Sequence, residues 1–256
     1  MNREIFQQEI EDWNNNVRFY INENSMAYQG KIYRKEIYDF YQIKTEEKVL
    51  EAGGGVVKVG ENTIVVDFSP KMIEACKKIN GEGRCVLASA HQLPFKDEEF
   101  DVVVANGLSH HLKAQDLLED AIKEFYRVLK SGGKLCVFDR ANNFFPRLFF
   151  LIRTPSRLIF KPTSSCNTRN EADFLEEDID KIIAGGFKMA RRKYIINVFF
   201  QAITIFANVL QYVFGFRVAY WWQKITWSLA YLVEKALPFK IFCAEQVIVF
   251  KKIAES

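Results

Sequence analysis

The chain has 256 residues, 49% of them hydrophobic and 26% charged. This composition excludes global disorder, and the length is enough to bury a core without disulfide staples. The net charge of +3 hides a split: residues 1–139 hold 18 basic and 23 acidic side chains (−5), and residues 140–256 hold 17 and 9 (+8). An anionic or membrane-surface partner for the C-terminal part is therefore expected.

In chain order, residues 4–20 and 31–42 read as helices, the first with Ile5, Ile10, Trp13 and Val17 at helical spacing. The polar, acidic start does not read as a signal peptide, so a cytoplasmic location is expected. Lys48 to Ala52 reads as a strand running into Gly53-Gly54-Gly55, and Thr63 to Val66 as a second strand ending at Asp67. Ser69-Pro70 starts a helix, with serine as N-cap and proline at the first helical position. Arg84 to Leu87 and Phe100 to Ala105 are the next strands. A helix over Asp116 to Leu129 stops at Ser131-Gly132-Gly133, and Lys134 to Phe138 is a fifth strand. Strands alternating with helices indicate an α/β fold with a mostly parallel sheet.

Residues 140–170 contain six basic residues, five phenylalanines and no acid. An acidic helix over 171–185 follows, then a sixth strand, Phe187 to Ile196, and a last one, Ala244 to Lys251. Between these two strands, Tyr194 to Phe216 has 23 residues without a charge, long enough to span a bilayer. However, Asn197, Gln201, Thr204, Asn208 and Gln211 form one polar stripe on a helix, which favours an interfacial or core-packed helix over a spanning one. Tyr220, Trp221, Trp222, Trp227 and Tyr231 follow among basic residues, a pattern suited to a water–membrane interface. Nucleic acid is not expected, because the basic residues sit within apolar runs. The five cysteines show no CxxC spacing and there are three histidines, so no metal site is expected and all five cysteines are read as reduced thiols.

Ligands in such sheets bind beyond the carboxyl ends of the strands. Glu51 followed by the glycine turn lets a ligand approach the backbone closely. Asp67, ending the second strand, is suited to accept hydrogen bonds from both hydroxyls of a ribose. A nucleoside-like cofactor is therefore expected. The absence of GxGxxG and the pattern of the last strands speak against a nicotinamide-dependent oxidoreductase.

Four blocks, VLEAGGG (49–55), VVDFSPKMIEACKK (65–78), LASAHQLPFKDEEFDVVVANGLSHHL (87–112) and EFYRVLKSGGKLCVFD (124–139), resemble the class I S-adenosylmethionine-dependent methyltransferases, in particular their small-molecule branch. The resemblance implies a Rossmann-like, mostly parallel seven-stranded sheet with an antiparallel last strand, an N-terminal helical cap and a hydrophobic helical C-terminal insert. It also implies S-adenosyl-L-methionine as cofactor. Glu51, Ala52 and the Gly53, Gly54 and Gly55 backbone would meet its methionine end, and Asp67 the ribose. Phe68 and Met72 would flank the adenine, with Ala88, Ser89 and Ala90 at its edge, His91 at the pocket rim, and Asn106 and Gly107 beside the sulfonium.

Three departures are visible. Valine stands at 57, where the family usually carries glycine; serine stands at 89, where it often carries aspartate; and the helix after the first strand has shrunk to a turn or is missing. His110 and His111 are the candidate catalytic bases; the alternative has one facing solvent and the other packing.

The expected division is a cap over 1–45, a cofactor-binding core over 46–140, a basic aromatic segment over 141–170, core again over 171–197, a hydrophobic insert over 198–240, and a last strand and tail over 241–256. The expected function is methyl transfer to a small, hydrophobic or lipid-linked acceptor, with peripheral membrane contact through 140–170 and 198–240. The competing expectation is a catalytically silent module of the same fold that binds a membrane or a protein partner.

Overall fold

The computed structural model describes residues 3–21, 35–56, 60–141, 172, 174–197, 222, 225, 226, 232 and 243–253. The first helix, α1 (Arg3–Ile21), precedes a second, α2, over 35–41. Then follow β1 (Val49–Ala52), β2 (Thr63–Asp67), α3 (Pro70–Asn80), β3 (Cys85–Leu87), β4 (Phe100–Asn106), α4 (Ser109–Ala114), α5 (Leu118–Val128) and β5 (Leu129–Arg140). The chain continues through α6 (Glu176–Ala184), β6 (Phe187–Asn197) and β7 (Cys243–Lys252).

The strands form one seven-stranded sheet in the order β3-β2-β1-β4-β5-β7-β6. The first five pair in parallel, and β7 runs antiparallel to both β5 and β6. The sequence of strand directions matches the expected fold. It also has a consequence for the inserts: β6 ends on the same side as β5, since Asn197 pairs with Cys243 and Arg140 with Glu245. The chain between β6 and β7 therefore leaves from, and returns to, the carboxyl edge of the parallel strands.

The core follows the period of two along the strands. On β4, Val103 and Ala105 face a layer containing Leu108, Leu112, Ile122 and Phe125. Val102 and Val104 face the opposite layer, with Ile37 and Tyr41 of α2. Helix α5 buries Leu118, Ala121, Ile122, Phe125 and Val128 at helical spacing. It ends at Val128, and β5 begins at once at Leu129, so Ser131-Gly132-Gly133 lies inside the strand and is not a loop after the helix. The sheet absorbs it with a register shift between Phe100 and Val102.

Helix α3 starts as expected: the Ser69 hydroxyl accepts from the Met72 N–H at 3.2 Å, with proline at the first position. The reading of five reduced thiols does not hold. Cys76 on α3 and Cys85 on β3 are joined, with Cα atoms 6.2 Å apart, because β3 packs directly under the helix. Cys136 and Cys243 are buried free thiols. Residues 53–56 and 60–62 are not helical. Asn197, expected to open the polar stripe of a helix, is instead the last residue of β6. Val57, Cys166, the rest of the stripe to Gln211 and nearly all of the two basic aromatic segments lie outside the described residues.

Candidate active site

The carboxyl edges of β1, β2, β4 and β5 bring most of the sequence-predicted residues together. At the end of β1, Gly53 and Gly54 both donate to the Val66 carbonyl, at 2.8 and 3.2 Å, which turns the chain sharply over β2. Gly53 sits at φ +66°, and a Cβ at Gly54 would lie 2.6 Å from Glu51 Cγ and 2.9 Å from Val65 Cγ1, so a side chain at either position meets strain or a clash.

Glu51 is buried and held from two sides. Tyr38 Oη donates to its Oε2 at 2.6 Å, and Asn106 Nδ2 donates to its Oε1 at 3.2 Å. Tyr41 Oη in turn donates to Asn106 Oδ1 at 2.6 Å. Neither Tyr38 nor Tyr41 was given a role from sequence. Their spacing of three on one helix was the available signal, because it puts both rings on the face toward the sheet. Burial pushes the Tyr41 hydroxyl well above its ordinary pKa, and the nearby Cys136, Glu51, Tyr38 and Asp139 push it further. It therefore stays a donor that fixes the Asn106 amide.

Asp67 is buried at the end of β2. Its Oδ2 accepts from Gly55 N–H at 3.0 Å and its Oδ1 from Ser69 N–H at 2.8 Å. Burial dominates and raises its pKa to about 6, although the backbone N–H groups of Ser69, Gly55 and Phe68 pull the other way. These donors do not fully offset the burial of the carboxylate. A Cβ at Gly55 would lie 3.8 Å from Met72 Sδ and 3.9 Å from Asp67 Oδ2, so the glycine keeps open the space between them. A Cβ at Gly107 would meet nothing within 4 Å. A buried acid facing the space that Gly55 keeps open fits a nucleoside with free hydroxyls.

Phe68 packs against Phe6 of α1, with ring centroids 5.6 Å apart, and Phe6 also meets the edge of His91 at 6.0 Å. Ser89 Oγ and His91 Nδ1 are 2.6 Å apart. Partial burial lowers the His91 pKa, so the ring is held in its neutral form. Ala90 is buried within the core layer below.

Neither His110 nor His111 faces solvent: they are 7% and 6% exposed. Adjacent positions on a helix predict divergent side chains, yet the two rings meet, with centroids 4.1 Å apart. The reason is that each ring is drawn to a different buried carboxylate. His110 Nδ1 lies 2.8 Å from Asp139 Oδ1, and its backbone N–H donates to Asp139 Oδ2 at 3.2 Å. His111 Nδ1 lies 3.5 Å from Glu9 Oε2 of α1. Burial pushes the Asp139 carboxyl up. The His110 ring and the N–H groups of Arg140 and His110 outweigh this and hold it below the usual carboxylate range. Asp139, at the end of the fifth strand, is among the strand-end residues that the sequence marks for ligand binding, but it was given no role there; Glu9 had no signal in the sequence. Among the described residues no cluster of three or more His, Cys, Asp or Glu is arranged to hold a metal.

Residues 51–137 match the methyltransferase domain family. The chain is 28% identical over 116 residues to a demethylmenaquinone methyltransferase of Streptomyces avermitilis, covering 43% of this chain and 49% of that protein. It is 30% identical over 125 residues to a ubiquinone/menaquinone biosynthesis C-methyltransferase of Haemophilus ducreyi, covering 43% and 47%. The chain thus spans about half the length of these curated relatives. In fold it is similar to the crystal structure of an S-adenosylmethionine-dependent methyltransferase from Methanosarcina mazei, with a TM-score of 0.52 at 15% identity over 86% of this chain and 98% of that one. The matched span runs from Glu51 to Val137 and so contains the glycine turn, Asp67 and both histidines. Residues 51–137 thus match a methyltransferase domain, set in a fold shared with a solved S-adenosylmethionine-dependent methyltransferase.

Proposed function

We propose that the protein transfers a methyl group from S-adenosylmethionine to a small hydrophobic or lipid-linked acceptor, with His110 as the base. The observation that carries this reading is the buried Asp139–His110 pair at 2.8 Å, next to the Asn106-Gly107 turn in the same strand-edge cleft as Asp67 and Glu51.

In this reading Asp67 binds the ribose, Glu51 and the glycine turn bind the methionine end, and Met72, Phe68, Ser89, Ala90 and His91 surround the adenine. Bound there, the cofactor supplies a methyl group already activated by a positive sulfonium, so the protein's main tasks are alignment and exclusion of water. The Tyr41–Asn106–Glu51 chain keeps the floor of the cleft rigid. Asp139 orients His110: a proton held on Nδ1 toward the carboxylate leaves the Nε2 lone pair to take the acceptor's proton as the new bond to the methyl carbon forms. Asp139 then stabilises the imidazolium.

The acceptor class rests on two supports. Two relatives named above act in menaquinone or ubiquinone chemistry by name, which suggests an apolar acceptor. In addition, the basic aromatic segments both leave the sheet at the carboxyl edge, after Arg140 and Asn197, and Ala172 returns beside α4, its N–H reaching the His110 carbonyl at 3.4 Å. The helical residues Trp222, Ile225 and Leu232 are 37%, 60% and 63% exposed. Among the described residues no helix is long and apolar enough to cross a membrane. Peripheral attachment to anionic lipid accounts for this combination of charge and apolar exposure. In the division proposed, residues 46–140 bind the cofactor, and 141–170 and 198–240 serve the acceptor and the membrane.

In vesicle flotation the protein is expected to float with anionic lipid at low salt and to be released at high salt. Failure to float with anionic vesicles at low salt would remove the membrane part of the reading. Resistance to both salt and carbonate would point to a spanning insert.

The pH dependence of cofactor binding tests the Asp67 assignment. Ribose hydroxyls donate to the ionised carboxylate, so binding weakens as pH falls through about 6, approaching tenfold per unit below it. The same raised pKa has the opposite effect on the empty protein: stability from this group is fully present below the unfolded value and is lost as pH rises through about 6. Calorimetric titrations with S-adenosylmethionine across this range check the first sign, and thermal melts without it check the second. A flat affinity profile contradicts the assignment.

A further inference from the structure

We infer that Glu9, on the first helix, is a positioning residue of the methyl-transfer site: it holds the second histidine, His111, with its proton on Nδ1, as Asp139 does for His110. Glu9 is 0% exposed, and it is the only fully buried side chain among the described residues of α1. A buried carboxylate is costly unless it is compensated. What compensates it here is the indole of Trp13, whose Nε1–H donates to Glu9 Oε2 at 3.0 Å, and the His111 ring, whose Nδ1 lies 3.5 Å from the same oxygen. Trp13 also packs its edge against His111, with centroids 5.4 Å apart. The other oxygen, Oε1, is buried with no hydrogen-bond partner among the described residues.

Helix α1 is fixed to the core at this place by more than apolar contact. Asn14 Oδ1, one turn beyond Glu9, accepts from the Ser69 hydroxyl at 2.9 Å and from the Lys71 N–H at 3.2 Å, at the start of α3. Phe6, one turn before Glu9, meets Phe68 and His91. The carboxylate is therefore held at a set depth over α4. Two imidazoles in contact each have their own carboxylate: His110 of α4 has Asp139 near the end of β5, and His111 has Glu9, a pair completed only when α1 is docked. An ionic contact of 3.5 Å is long for a hydrogen bond, as such contacts often are before ligands bind.

The significance of this inference rests on the methyl-transfer reading, but its test does not. The chain has three histidines, so the ring nitrogens can be assigned individually by nitrogen-15 NMR of the full-length, histidine-labelled protein. In alkaline buffer, where the rings are neutral, both His110 and His111 are expected as Nδ1–H tautomers. Free imidazole side chains favour Nε2–H. In Glu9→Leu, which keeps apolar volume against α4, His111 is expected to revert to Nε2–H while His110 is unchanged. Glu9→Gln, whose amide oxygen still accepts a hydrogen bond from Nδ1–H, is expected to restore the wild-type pattern. Calorimetric affinity for S-adenosylmethionine should stay near that of the wild type in both variants, because no cofactor contact is assigned to Glu9 or His111.

A wild-type His111 that carries its proton on Nε2 overturns the proposal without any variant having to fold. So does a His111 that keeps Nδ1–H in Glu9→Leu. If the tautomers behave as expected but the chain does not bind S-adenosylmethionine, the methyl-transfer reading fails and the role of Glu9 in holding His111 stands.

Discussion

Replacing His110 by alanine is expected to lower the rate of methyl transfer by about 10²- to 10⁴-fold, the range for removing a positioned general base. Affinity for S-adenosylmethionine should remain near that of the wild type, because the proposed reading assigns the imidazole no contact with the cofactor's ribose, adenine or methionine end. Asp139→Asn should approach the same loss with the fold intact. It keeps the shape of the partner at 2.8 Å but removes the negative charge that stabilises an imidazolium. It also frees His110 to carry its proton on the other nitrogen. His111→Ala should cost less than His110→Ala, since its carboxylate lies farther away, at 3.5 Å. The readout is transfer of radiolabelled methyl into solvent-extractable lipid from a membrane extract. Equal losses in both histidine variants, or none in His110→Ala, would assign the chemistry to proximity alone.

Asp67→Ala is expected to weaken S-adenosylmethionine binding by about tenfold to 150-fold, corresponding to about 1.5–3 kcal/mol for lost charge-assisted hydrogen bonds. The effect on folding should be smaller, because two terms oppose. The variant leaves the Gly55 and Ser69 N–H groups without their acceptor. It also removes a carboxylate that burial already disfavours at neutral pH. Asp67→Asn, which keeps an acceptor oxygen, should fall between wild type and alanine. Calorimetry measures the affinities and thermal melting checks the fold; an unchanged affinity in a folded variant would contradict the ribose assignment.

The parts of the site made by strand ends were legible because their signals are local. Glu51 precedes a glycine turn, Asp67 ends an apolar run, and Ser69-Pro70 opens a helix, so each announces its place within a few residues. The parts made by packing were not. Glu9 lies on a polar helix whose visible pattern was Ile5, Ile10, Trp13 and Val17, yet the contacts to the cleft run through Phe6, Glu9, Trp13 and Asn14. A buried acid cannot be told from a solvated one without knowing which helix face meets a histidine 102 positions away. Similarly, the two histidines were expected to diverge, and their separate carboxylate partners draw them together. The Cys76–Cys85 link was missed because nine residues of spacing say nothing until β3 is packed under α3.

The glycine block at 131–133 misled for a different reason. It carries helix-stop chemistry, but the sheet extends β5 through it and takes up the extra residues at the edge beside Phe100. By contrast, the shortened link after β1 was readable from the short interval between Glu51 and Asp67, and its described residues, 53–56 and 60–62, are not helical.

The central claim is that the strand-edge cleft around Asp67, Glu51 and the glycine turn binds S-adenosylmethionine. Calorimetric titration of the full-length chain with S-adenosylmethionine at neutral pH tests it most directly. The account predicts one saturable site, weakened in Asp67→Ala; no binding at millimolar cofactor would contradict it.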